Sequence, residues 1–129
     1  MKSRDVALSA FDPVADAIRV DATAADELFA VVDLLEGNPP LRRSLSDPSA
    51  SAGDRQALAR RLLEGRLGAA ALSVVTEVAS RPWPSGRTMI EVIERQGVRG
   101  LLRVANERGE LKRVQEELHR FALVIDGSP

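Results

Sequence analysis

His119 is the only histidine in a chain of 129 residues that also has no cysteine and no tyrosine. Glu116-x-x-His119 has the i, i+3 spacing that sets two side chains on one helix face, as in half of a di-iron carboxylate site. Such a site takes two of these motifs and further glutamates, and only one motif is present. As a phosphoacceptor on a helical bundle, His119 would want a lysine soon after it, whereas Arg120, Phe121 and Ala122 follow. The plain expectation is a solvated helix residue. Serines are plentiful, but with one histidine, no cysteine and no nucleophile-elbow pattern, nothing resembles an activated nucleophile. The glycines form neither a Walker loop nor a GxGxxG after a strand. The sequence therefore predicts no catalytic residue, no metal ligand set and no cofactor, which leaves surfaces to carry function.

Charge is the next place to look. The net charge of -1 hides an asymmetry. Residues 1–36 carry eight acids against Lys2, Arg4 and Arg19, a net of -5 that leaves +4 for the remainder. Asp12 and Asp16, on the first helix, are candidates for steering a basic partner. Sixteen of the eighteen cations are arginine, which suits planar recognition of phosphate or carboxylate and equally follows from composition bias. Arg42, Arg43, Arg55, Arg60, Arg61 and Arg66, set against Asp47, Asp54 and Glu64, form a basic section that would meet an anionic partner or be the wet faces of two helices. Three phenylalanines and one tryptophan are too few for the stacking platforms of single-strand binders. The absence of cysteine excludes disulfides and thiolate metal sites and suits a reducing compartment. No apolar run of about twenty residues and no basic-then-apolar leader is present, so an unexported, non-spanning chain is expected.

No segment has the period-two alternation of a half-buried strand, and i, i+3, i+4, i+7 apolar spacing recurs throughout. An all-α fold follows, a bundle of about six to seven antiparallel helices. Ser3 is placed to cap a first helix reaching about Arg19, with a kink or restart at Asp12-Pro13. Thr23-Ala-Ala-Asp26 resembles a capping box for a second helix with Leu28, Val31, Val32 and Leu35 inside, ended by Gly37 and Pro39. Pro40 suits the first turn of a short third helix bearing Leu41 and Leu45. Ser51-Ala-Gly-Asp54 caps a fourth, with Leu58, Leu62 and Leu63 expected inside and Arg55, Arg60 and Arg61 largely outside. Residues 69–80 form a fifth helix in which, before the terminal Ser80, only Ser73, Thr76 and Glu77 are polar, so it is central or offers a second apolar face to a partner.

After Pro82-Trp83-Pro84, Ser85 or Thr88 opens a long sixth helix through Met89, Ile90, Ile93, Leu101 and Val104. Gly97 and Gly100 either admit close packing or break it. Gly109 is expected to end it, giving a six-helix unit over residues 1–108 and a terminal helix over 109–129. That last helix carries the stripe Leu111, Val114, Leu118, Phe121 and Ile125, too apolar to stay wet. It is expected to fold back on its own bundle or to pair with another copy, forming a homodimer.

Two segments ninety positions apart repeat one pattern. Glu27-Leu28 opens a run ending Leu34-Leu35-Glu36-Gly37-Asn38-Pro39, and Glu117-Leu118 opens one ending Val124-Ile125-Asp126-Gly127-Ser128-Pro129. The first continues as Pro40-Leu-Arg-Arg-Ser-Leu-Ser-Asp-Pro48 and a capped helix ending Leu62-Leu63-Glu64-Gly65-Arg66-Leu67. Residues 27–82 in this order resemble the second through fifth helices of the delta subunit of bacterial F-type ATP synthase, the oligomycin-sensitivity-conferring protein family. Leu101-Leu-Arg-Val-Ala105-Asn-Glu-Arg-Gly109-Glu-Leu111 and the helix after it resemble the opening helices of the same unit, as in a tandem form. The first helix, with Phe11, Val14 and Ile18, departs from the family's opening.

The resemblance implies a non-catalytic module of the peripheral stalk, holding the catalytic head to the stator during proton-driven ATP synthesis. It implies a six-helix domain that grips amphipathic N-terminal helices of alpha subunits in grooves formed largely by its first and fifth helices. Carried onto this sequence, the groove falls on Phe11, Leu72, Val75, Thr76 and Ala79. Other stalk subunits would be engaged through parts that have no counterpart here. The expected setting is the cytoplasmic, inner face of the plasma membrane within a complex, with no membrane insertion and no nucleic acid. The alternative is a free-standing helical adaptor or regulatory domain, including an RNA-binding one, since a helical bundle serves both uses.

Overall fold

The computed structural model describes residues 6 and 8–125, with the backbone alone at 111 and 121–125. Among the described residues it is all helix: α1 Asp12–Ile18, α2 Ala22–Glu36, α3 Pro39–Leu45, α4 Ala52–Leu63, α5 Ala69–Ala79 and α6 Gly86–Ile125. The break at Asp12-Pro13 is present. Ala10 N–H donates to Val6 O at 2.9 Å, the chain turns at residues 10–11, and α1 restarts with Pro13 in its first turn, where a missing N–H is harmless. The proposed cap Ser3 lies outside the described residues. Arg19, at φ 64°, ends α1 in the left-handed region and redirects the chain.

Helix α2 opens earlier than the Thr23 box predicts. Asp21 is the cap, its extended backbone aiming the carboxylate at Ala24 N–H, 2.8 Å away, so Thr23 is already helical. Asn38 accepts from Leu41 N–H at 3.3 Å to start α3, with Pro39 and Pro40 in its first turn. Ser51 accepts from Asp54 N–H at 3.0 Å to start α4, as the sequence predicts. Trp83 Nε1 donates to Val78 O at 2.8 Å, satisfying a carbonyl at the end of α5.

Helix α2 lies along the first half of α6, α4 lies along α5, and α5 also meets α1, α2 and α6. The core gathers Phe11, Leu28, Leu35, Leu45, Met89 and Ile93 from four segments. One expected face is rotated. Helix α4 turns Arg55, Ala59 and Leu63 inward, and Leu62 is exposed rather than inside. The reason is the neighbour: α4 meets the carbonyl end of α5, which needs a donor more than another methyl group.

Gly97 and Gly100 do not break α6. A Cβ at Gly97 would lie 2.9 Å from the Phe29 ring, and one at Gly100 would lie 2.6 Å from Val20 Cγ1. Both glycines admit close packing, Gly97 against α2 and Gly100 against the turn that precedes it. The expected stop at Gly109 is overturned, because α6 runs unbroken for 40 residues. A lone glycine costs a helix only about 1 kcal/mol relative to alanine, and Glu110 and Lys112 are good helix formers. The 108/109 division thus lies inside one helix. Val114 and Leu118, 49% and 62% exposed, do not fold back onto the bundle. The side chains of Leu111, Phe121 and Ile125 lie outside the described ones.

Candidate functional site

Of the residues expected to line a groove, Phe11, Val75, Thr76 and Ala79 are buried and Leu72 is partly exposed. Four of them lie on α5, whose 72, 75, 76, 79 spacing forms one stripe, and α1 packs against this helix. Thr76 causes no polar defect there, because its hydroxyl donates back to Leu72 O, 2.9 Å away, or Ser73 O, 3.1 Å. Phe11 sits at the entry to α1, with the Arg81 guanidinium 5.3 Å from its ring centroid. Ala10, Phe11, Arg81, Pro82, Trp83 and Pro84 line a shallow cleft at that end. Leu72 and Val14 are partly buried against the core. The stripe is therefore a floor of buried side chains with a half-exposed leucine at its rim.

The acidic residues of α1 are not a bare patch. Asp12 receives Arg95 Nε at 3.0 Å and Arg95 Nη2 at 2.7 Å, one on each oxygen, and Gln96 Nε2 at 2.8 Å. Arg99 reaches Asp16 at 3.0 Å and donates to Gln96 Oε1 at 2.9 Å. Arg103 donates to the carbonyl of Val20. The bidentate Arg95 bond, ahead of a smaller opposing effect of burial, holds the Asp12 carboxyl below the usual carboxylate range. Asp12 and Asp16 thus fasten α1 to α6, and their role in steering a basic partner is replaced by internal pairing. The sequence does hold the signal: Arg95, Arg99 and Arg103 repeat every four residues, as do Asp12 and Asp16, so each set forms one row on its helix.

Arg55 is the second missed residue. Only 6% exposed, it donates through Nε to Ala79 O at 2.8 Å, through Nη1 to Asp47 O at 3.0 Å and to Ala50 O, and through Nη2 to Ser80 O at 3.4 Å. One guanidinium joins the carbonyl end of α5 to the turn between α3 and α4. Arg42 is half-buried and donates to Leu35 O at 3.4 Å. The basic section therefore contracts to Arg43, Arg60, Arg61 and Arg66 at the surface. Glu116 and His119 are exposed, and the described residues contain no group of three or more His, Cys, Asp or Glu placed to hold a metal ion. Among the described residues, no helix is long and apolar enough to cross a membrane.

No protein-family model matches the chain. Individual relatives do. The chain is 42% identical over 106 residues to the protein named ATP synthase subunit delta of Salinispora arenicola, covering 82% of this chain and 39% of that protein. It is 38% identical over 128 residues to the subunit delta of Kineococcus radiotolerans, covering 95% of this chain and 46% of the other. With the subunit delta of Corynebacterium glutamicum it shares 34% over 122 residues, covering 95% and 44%. The chain thus spans less than half the length of these relatives. An all-α bundle, with identity this high across four fifths or more of its residues, places it: the chain belongs to the family of ATP synthase delta subunits.

Proposed function

We propose that this chain is a non-catalytic component of the peripheral stalk of an F-type ATP synthase, a helical clamp that helps hold the catalytic head against rotation. The observation that carries this is the 34–42% identity, over 82–95% of the chain, to proteins named ATP synthase subunit delta. The partner is the amphipathic N-terminal helix of an alpha subunit, laid along the α1–α5 seam over Phe11, Leu72, Val75, Thr76 and Ala79. Helix-in-groove binding suits a site that has buried apolar side chains and no titrating pair. Residues 1–108 form the clamp, and residues 109–129 begin a second unit of the same kind, with α6 carrying a helix-pairing surface beyond the bundle. The setting is the cytoplasmic face of the membrane-bound complex, where other stalk subunits are engaged by parts not contained in these residues.

Titrating the folded chain with a peptide of the alpha-subunit N-terminus tests this. Saturable binding that changes little between low and high salt is expected, because apolar burial is only weakly screened. A well-folded chain that binds nothing at high micromolar peptide defeats the assignment. Steep loss of binding to an oligonucleotide with salt would instead favour a nucleic-acid adaptor.

A further inference from the structure

Arginines that leave water in this chain find acceptors, with one exception. Among the described residues, Arg42, Arg55, Arg95, Arg99 and Arg103 are half-buried or buried, and each donates to a carbonyl or a carboxylate. Arg81 is half-buried as well, yet its Nε is closed off from solvent with no acceptor. No hydrogen bond or ion pair with a described residue engages the rest of its guanidinium. A buried donor left unsatisfied is costly, so this one calls for an acceptor from outside the bundle.

The surroundings explain why none is found inside. Arg81 directly follows Ser80, the C-cap of α5, and its guanidinium is held 5.3 Å from the centroid of the Phe11 ring by cation–π attraction. The acid next to Phe11, Asp12, is already engaged by Arg95 and Gln96. In the cleft that Arg81 lines, Pro82 and Pro84 have no N–H, Trp83 Nε1 is spent on Val78 O, and the side chains of Ala10 and Phe11 are apolar. Arg81 is thus a positioned cation in an otherwise apolar cleft that contains no acid.

We propose that Arg81 receives a side-chain carboxylate, Asp or Glu, from the helix laid along the α1–α5 seam, and so fixes the register of that helix. The inference rests on the clamp reading and deepens it. Phe11 belongs both to the floor of the seam and to the wall beside Arg81, so a helix covering Phe11 must pass the guanidinium. An acid at that point supplies the missing acceptor. An apolar or basic residue there would leave the cation desolvated and unpaired, which selects against it. An apolar stripe alone tolerates a slip of one helical turn, whereas one charged contact at its end does not.

Arg81→Met keeps an aliphatic stem over Phe11 and removes the charge. Because it deletes an unsatisfied buried donor, its urea midpoint is expected at or above that of wild type. Its affinity for the alpha-subunit N-terminal peptide is expected to fall about tenfold or more. Replacing the acids of that peptide one at a time by Asn or Gln is expected to reveal one position that weakens binding to wild type by a similar factor and has no further effect on Arg81→Met. Trp83, the one tryptophan of the chain, lines the cleft, so its emission reports occupancy. Arg60→Met, exposed on α4, is expected to bind as wild type does. Losses that add to that of Arg81→Met at every peptide acid would overturn the proposal, as would a large fall in the Arg81→Met urea midpoint, which marks a structural brace. A wild type that binds no peptide defeats the clamp and this contact with it, whereas equal binding by wild type and Arg81→Met defeats the contact alone.

Discussion

Replacing Gly100 with alanine sets two effects of known sign against each other. Alanine favours the helix by about 1 kcal/mol over glycine. Its methyl group would lie 2.6 Å from Val20 Cγ1 and 3.1 Å from both the Cβ and the carbonyl oxygen of Val20. Ordinary contact begins near 3.4 Å, so something must move. Val20 is buried and β-branched, with a stiff side chain, and Arg103 holds its carbonyl. Relief therefore requires shifting backbone, an overpacking cost of about 2–3 kcal/mol. The net expectation is destabilisation by about 1–2 kcal/mol. With a urea m-value of about 1–3 kcal/mol/M, the midpoint falls by roughly 0.5–1 M. Gly97→Ala meets the edge of Phe29, a half-buried ring that can swing, and should stay within about 1 kcal/mol of wild type. Gly109→Ala meets nothing within 4 Å and should only raise helix content and amide protection in the overhang. A Gly100→Ala midpoint at or above that of wild type would refute the close-packing account of this helix.

Arg55→Met should cost about 3 kcal/mol or more in urea unfolding, because the carbonyls of Ala79, Asp47, Ala50 and Ser80 lose their donor together in a mostly buried place. A loss under 1 kcal/mol (about the value of one ordinary hydrogen bond) would show that water replaces the guanidinium. The Asp12 carboxyl, depressed by Arg95, adds stability that is fully present above the unfolded value near 4 (about 3.9 for aspartate) and is lost as pH falls through the lower folded value. Asp12→Asn should therefore be less stable at pH 7 by about 1–3 kcal/mol, and its acid unfolding curve should be flatter below about pH 4. Parallel acid curves for the two proteins would contradict this.

Much of the fold is legible because proline, glycine and capping residues act locally. Asp12-Pro13, Asn38-Pro39-Pro40 and Ser51 place helix starts through a missing N–H or a nearby acceptor, and the structure uses all three. Misplaced boundaries arise where two local solutions compete. Asp21 and Thr23 both can cap, and the turn at Arg19 decides for Asp21 by setting the chain extended there. Gly109 fails as a stop because a lone glycine costs a helix only about 1 kcal/mol relative to alanine and good helix formers follow it. The inward turn of Arg55 is invisible to apolar periodicity, since its warrant is the end of another helix twenty-four residues away. For the same reason, the α1 acids look free in sequence and are paired in space. The α5 stripe is legible as a stripe. That four of the five chosen residues form a floor, with Leu72 at the rim, depends on how α1 closes over it.

The clamp is tested most directly by following backbone amide shifts of the ¹⁵N-labelled chain as the alpha-subunit N-terminal peptide is added. Shifts should concentrate on α1, on α5 around Leu72 and Val75, and on the cleft at residues 10–11 and 81–84. Leu72→Glu, changing a partly exposed side chain, should weaken binding by about tenfold or more while leaving the fold intact. Shifts confined to the arginine-bearing surface of α4 or to the α6 overhang, with α1 and α5 silent, would contradict the account.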